Sequence, residues 1–84
     1  MVTREQVLER TKQIIIDNAA DQFGTDLQES TRLNSSTNVD SMGFILVITK
    51  LEGEFGIKIP DDEWNEIQTL GELVDSVMKY LPKE

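Results

Sequence analysis

Neither cysteine nor histidine occurs in the 84 residues. Without cysteine there is no disulfide, no thiolate metal site and no cysteine nucleophile. Without histidine neither a Ser-His triad nor a histidine-based metal site can be assembled. A glycine-rich phosphate cradle is missing as well. These gaps argue against a self-contained enzyme, and a thiol, if the chemistry needs one, must arrive on a prosthetic group. No stretch approaches the roughly twenty apolar residues of a membrane span, and the N-terminus has no basic segment followed by an apolar one, so neither a span nor a secretory signal is expected and the expected location is cytoplasmic. Internal repeats and low-complexity tracts are also lacking.

What is present is acid. Sixteen acidic residues against eight basic ones give a net charge of −8, and residues 40–84 hold ten of the acids. Phosphate backbones are repelled by such a surface, so no nucleic-acid partner is expected. Basic protein patches are the natural counterpart, and charge on this scale also maintains solubility. A chain of this length reads as one small domain, residues 1–84, expected as a monomer.

Its periodicity is helical. Thr3 with Gln6 fits a capping box, in which each residue satisfies an amide of the other. Behind it Val7, Leu8, Ile14, Ile15 and Ala19 recur on one side, with Thr11 interrupting that side. From Asp21 to Asn38 the chain is polar, a long loop with Phe23, Leu27 and Leu33 as its expected anchors. Further on, Gly56 is placed to end a helix, Ile57-Lys58-Ile59 to run extended, and Pro60 to open a turn. Asp61, Asp62 and Glu63 then fill the first turn of a short helix anchored by Trp64 and Ile67, where the dipole favours negative charge. That acidic trio has no EF-hand spacing, and no metal site is expected. Thr69 and Glu72 form a second capping box ahead of Leu70, Leu73, Val74, Val77 and Leu81, and Pro82 closes the helix. The expected fold is all-α: a small four-helix bundle, three main helices and one short one, with a long loop after the first.

The most informative stretch lies between loop and second helix, Asn38-Val-Asp-Ser-Met-Gly-Phe-Ile-Leu-Val-Ile-Thr-Lys-Leu-Glu-Gly-Glu-Phe55. Asp40 and Ser41 stand at the junction, both favoured as helix caps. At about 100° per residue Phe44, Ile48, Leu51 and Phe55 share a sector of roughly 60°, with Ile45 and Val47 flanking it. Met42, Leu46, Thr49 and Gly53 fall on the far side. Phe44, Ile45, Ile48, Ile59 and Trp64 are positioned to line or to fill the interior, and dense packing in small cores favours filling.

Asp40-Ser41-Met42, followed by Leu51-Glu52-Gly53-Glu54-Phe55 and Ile59-Pro60-Asp61, resembles the acyl carrier protein family in order and spacing. The resemblance extends over about residues 4 to 81. It implies that Ser41 carries a 4′-phosphopantetheine arm through a phosphodiester, with cargo held as a thioester on the arm's thiol. Asp40 would then serve recognition by the phosphopantetheinyl transferase. Further implied partners are an acyl- or aminoacyl-loading ligase or synthetase and acyltransferase or synthase enzymes. Met42, Leu46 and Thr49, with the acids Glu52, Asp61 and Asp62, form the expected docking surface. The chain departs from fatty-acid-synthesis carriers in one respect: those carry acids on this helix soon after the serine, whereas Gly43, Leu46 and Lys50 occupy that region here. That difference points to a specialised lipid or secondary-metabolite pathway. An aminoacyl, peptidyl or D-alanyl carrier and an unmodified acidic helical adaptor are the other readings of the same residues.

Overall fold

The computed structural model describes residues 2–33 and 42–81. Among them are four helices: α1, Arg4–Phe23; α2, Met42–Phe55; α3, Asp61–Trp64; and α4, Leu70–Tyr80. No strand occurs among the described residues, and a single isolated bridge joins Arg32 to Thr69.

The capping box at the head of α1 forms as the sequence predicts: Thr3 Oγ1 accepts from the Gln6 amide, and Gln6 Oε1 accepts from the Thr3 amide. Val7, Ile14, Ile15 and Ala19 are buried, and so is Thr11. Thr11 fits that side because its hydroxyl donates to the Val7 carbonyl at 2.7 Å, leaving its methyl to pack. The helix runs past the expected start of the loop at Asp21. Nothing in Asp21-Gln22-Phe23 breaks it, and the stop is Gly24, whose φ of 77° suits glycine and whose amide donates to the Ala20 carbonyl. Phe23 is therefore a half-buried residue of the last helical turn rather than an anchor within the loop. That turn is offset from the rest of α1, because Ala19 leaves the helical region at φ −144°, ψ 27°.

Leu27 and Leu33 are buried and anchor the loop as expected. The loop is also tied to the head of α4 through its backbone. Leu70 and Gly71 donate their amides to the carbonyls of Thr31 and Glu29, and Leu33 donates to the Gln68 carbonyl. A helix start leaves its first amides without intrahelical partners. Here the loop takes the first two, and the Thr69 hydroxyl takes the third, that of Glu72. Gly71 suits this close approach: a Cβ there would stand 3.2 Å from both the carbonyl oxygen and the Cβ of Glu29, tighter than ordinary contact. Arg4 spans the same junction, with Nη2 donating to Glu29 at 2.7 Å and Nε to Asp75 at 2.9 Å.

Helix α2 ends where Gly56 takes φ 65°, and the Ile57 amide reaches back to the Glu52 carbonyl, the bond of a Schellman cap. Ile59 is wholly buried, whereas Ile57 is only half so. The Ile59 peptide is gripped from two directions, its amide donating to Glu52 Oε2 at 2.7 Å and its carbonyl accepting from Trp64 Nε1 at 2.9 Å. Pro60 precedes α3, whose first turn carries Asp61, Asp62 and Glu63 without any side-chain cap bond. Glu63 instead turns to α4, accepting from the Tyr80 hydroxyl and from Lys79. The second capping box is present at Thr69 and Glu72, and behind it Leu70, Leu73, Val74 and Val77 are buried. Leu81 is half-buried, and Pro82 lies outside the described residues.

Buried residues of α1, α2 and α4 form one apolar cluster with Leu27, Leu33, Ile59 and Ile67. Helix α1 packs against both α2 and α4. Among the described residues, every buried side-chain nitrogen or oxygen has a hydrogen-bond partner.

Candidate functional site

The site is organised by the start of α2. Met42 is its first helical residue, so position 41 adjoins the helix along the chain. Ser41, Asp40 and Asn38 lie outside the described residues, as does the side chain of Met42. What is described is how that helix start is held. A Cβ on Gly43 would stand 2.3 Å from Gln22 Oε1 and 3.3 Å from the Phe23 ring. Glycine at this position lets the first turn of α2 sit against the last turn of α1. No acidic residue falls in that first turn. Among the described residues of α2, then, no carboxylate competes for the positive end of the helix dipole, which favours an anion.

Beyond the first turn, α2 has two unlike faces. Phe44, Val47, Ile48 and Leu51 are buried, and Phe55 is half-buried. The buried arc spans roughly 100°, from Val47 to Ile48. Leu46 faces solvent as the sequence predicts, 38% exposed, and Thr49 is also exposed. Ile45 was expected to flank the core or line the interior and does neither: it is 42% exposed. Its position about 60° beyond the Ile48 edge of the arc explains this, and the same angular reading, centred on Val47 and Ile48 together, would have found it.

Outward lies a sector of roughly 140° bearing Ile45, Thr49, Gly53, Leu46 and Lys50 and no carboxylate. Helix α2 does contain two acids, one at each edge of this sector, and both are engaged within the fold. Glu52 is half-buried and accepts from the Ile59 amide. Glu54 forms a two-pronged ion pair with Arg10 of α1, at 2.9 and 3.0 Å. The Arg10 guanidinium is correspondingly held above its ordinary range, chiefly by the hydrogen bonds to Glu54. Asp61 and Asp62 are exposed at the head of α3. The role of Glu54 toward Arg10 is a long-range contact, 44 residues apart, and that of Glu52 toward Ile59 crosses the turn after α2; neither is signalled by helical spacing.

Phe44, Ile48 and Ile59 are interior and belong to the core cluster, and Trp64 packs half-buried against it. Two surface depressions are found elsewhere, one along α1 beside Gln6 and Arg10, the other between α3 and α4 beside Glu66 and Ser76. No group of three or more acidic residues among the described residues is arranged to hold a metal ion. None of the described helices is long and apolar enough to cross a membrane.

Comparison with known proteins agrees with this geometry. Residues 13–77 match the model of a family described as "Phosphopantetheine attachment site". An acyl carrier protein of Lactobacillus acidophilus is 32% identical over 82 residues, covering 94% of this chain and 98% of the relative. The acyl carrier protein of Rubrobacter xylanophilus is 34% identical over 80 residues, covering 92% and 94% respectively. That of Thermotoga maritima is 29% identical over 84 residues, covering 96% and 99%.

Proposed function

The chain belongs to the phosphopantetheine-binding family of acyl carrier proteins, non-catalytic carriers bearing covalent 4′-phosphopantetheine, and from that premise we propose that Ser41 is the attachment residue and residues 1–84 a single carrier domain. The observation that supports Ser41 is the start of α2 at Met42, with no carboxylate in its first turn, directly after the Asp40-Ser41 pair. When bound, the group supplies a thiol, which the chain itself lacks. The chain's own part is to present a hydroxyl at a helix start and to tolerate a phosphodiester there. No histidine is present to activate that hydroxyl, so the transferase provides the base. The serine oxygen forms a new bond to phosphorus as the pyrophosphate bond of coenzyme A breaks, adenosine 3′,5′-bisphosphate leaves, and the serine proton passes to the transferase. Asp40 is assigned to transferase recognition.

Loading and consuming enzymes then dock on Met42, Leu46 and Thr49, with Glu52, Asp61 and Asp62 as charged surroundings. The cargo is an acyl group of a specialised lipid or secondary-metabolite pathway. The support for this is the outward sector of α2, free of carboxylates where carriers for general fatty acid synthesis are acidic. We place the carrier in the cytoplasm, where coenzyme A and acyl-activating ligases are available to it.

Incubation with coenzyme A and a broad-specificity phosphopantetheinyl transferase, followed by intact mass, tests the assignment. One phosphopantetheinyl unit is expected on the chain and none on Ser41→Ala. A gain that survives Ser41→Ala refutes the site. No gain with several transferases leaves an acidic helical adaptor.

A further inference from the structure

Helix α2 of an acidic protein presents an outward sector without a carboxylate. The molecule carries −8 overall, yet between Ile45 and Lys50 the outward sector of this helix holds only apolar, neutral and basic side chains. The two acids that flank it are drawn away, Glu52 by the Ile59 amide and Glu54 by Arg10. Lys50 is exposed and forms no ion pair with any described residue, although acids outnumber bases two to one. Ile45 and Leu46, about 100° apart around the helix, are the exposed large apolar side chains among its described residues. Gly53 continues the sector with nothing within 4 Å of where its Cβ would stand, leaving a flat backbone surface one turn beyond Thr49. Glycine within a helix costs about 0.5–1 kcal/mol relative to alanine, and no packing contact at Gly53 requires it.

We propose that α2 docks partner enzymes through apolar contact at Ile45 and Leu46 and through an ion pair from Lys50 to a partner carboxylate. The proposal rests on the carrier reading above and specifies the chemistry of its partner: an enzyme surface with an apolar groove for the helix and an acidic residue beside it, rather than a basic patch. A basic patch would meet Lys50 with like charge and find Glu52 and Glu54 already bonded. A groove lined by apolar side chains gains from covering Ile45 and Leu46, and its carboxylate pairs with Lys50. Recognition of this kind depends weakly on salt, because the contact that dominates it is not electrostatic.

The test compares two phosphopantetheinyl transferases of known structure, one with a basic carrier-binding patch and one with an apolar carrier-binding groove. Values of kcat/KM are measured on the full chain, at about 0.05 M and about 0.5 M salt. The apolar-groove enzyme is expected to be favoured by about tenfold or more, the scale of one well-formed apolar contact, with little loss at high salt. The paired change Leu46→Glu with Lys50→Glu, which rebuilds an acidic face without touching the core, is expected to reverse that order. Leu46→Ser is expected to lower kcat/KM for the apolar-groove enzyme through KM, with circular dichroism unchanged. A preference of the unaltered protein for the basic-patch enzyme, falling steeply with salt, overturns the proposal. So does an order left unmoved by the paired change. The two failures are separable: mass gain with the wrong preference refutes this docking chemistry and leaves Ser41 standing, whereas absence of gain with both enzymes refutes the carrier reading and the docking chemistry with it.

Discussion

Arg4 shows how much one exposed side chain can organise. Its guanidinium reaches Glu29 in the loop, and Asp75 and the Gly71 carbonyl in α4, from the first turn of α1. Those hydrogen bonds raise the pKa of Arg4 above its ordinary value, and the bond from Arg4 lowers that of Glu29. Exposed ion pairs add little to global stability, so the expected effect of Arg4→Met is local. Amides of Leu33, Leu70 and Gly71, which tie the loop to α4, should exchange with deuterium faster while those of Ile48 and Leu51 do not. Thr11→Val is the complementary case. It exchanges a buried hydroxyl for a methyl where the Val7 carbonyl already belongs to a helix. Stability should change by less than about 1 kcal/mol in urea denaturation, because no buried donor is left unpaired.

At the scale of the element, α2 is divided sharply between its two faces. Ile48→Ala removes a wholly buried side chain, and a loss of about 2–5 kcal/mol is expected. Leu46→Ala, two positions away and exposed, should stay within about 0.5 kcal/mol of the parent. Equal losses at both positions would contradict the outward placement of Leu46. Gly53→Ala should stabilise the helix by about 0.5–1 kcal/mol, since the site is open and its φ is not positive. Gly56→Ala should do the opposite by a larger amount, about 1–2 kcal/mol, because φ there is 65°. The contrast between two glycines three residues apart follows from backbone conformation alone.

Across the molecule, α3 is joined to α4 by Glu63, which accepts from Tyr80 and Lys79. The Tyr80 bond lowers the pKa of Glu63, and Glu63 raises those of Tyr80 and Lys79. A depressed carboxylate stabilises the fold above its ordinary value of 4.5 and loses that contribution as pH falls through its lower folded value. A raised phenol or ammonium stabilises the fold below its ordinary 10.0 or 10.5 and loses it as pH rises through the higher folded value. Thermal melts across pH should therefore decline at both ends, and Glu63→Gln should flatten both declines while leaving the capping box of α4 in place. Sedimentation is expected to give a monomer of 9.5 kDa, with mutual repulsion at −8 opposing self-association.

Local pattern determined a great deal in this chain. Both capping boxes, the Gly56 stop and the buried arc from Phe44 to Leu51 follow from residue types at fixed spacing, because caps and periodicity act within a turn or two of helix. The Asp-Ser junction and its likeness to carrier proteins were equally legible, since a motif is itself local. Tertiary structure alone decided what crosses the chain. The capture of the α4 amides by the loop depended on which surfaces found neighbours. So did the engagement of Glu52 with Ile59 and of Glu54 with Arg10. Sequence places a carboxylate on a helix; only packing determines whether it stays free for a partner or is bound within the fold, because that depends on distances between segments that spacing along the chain does not fix.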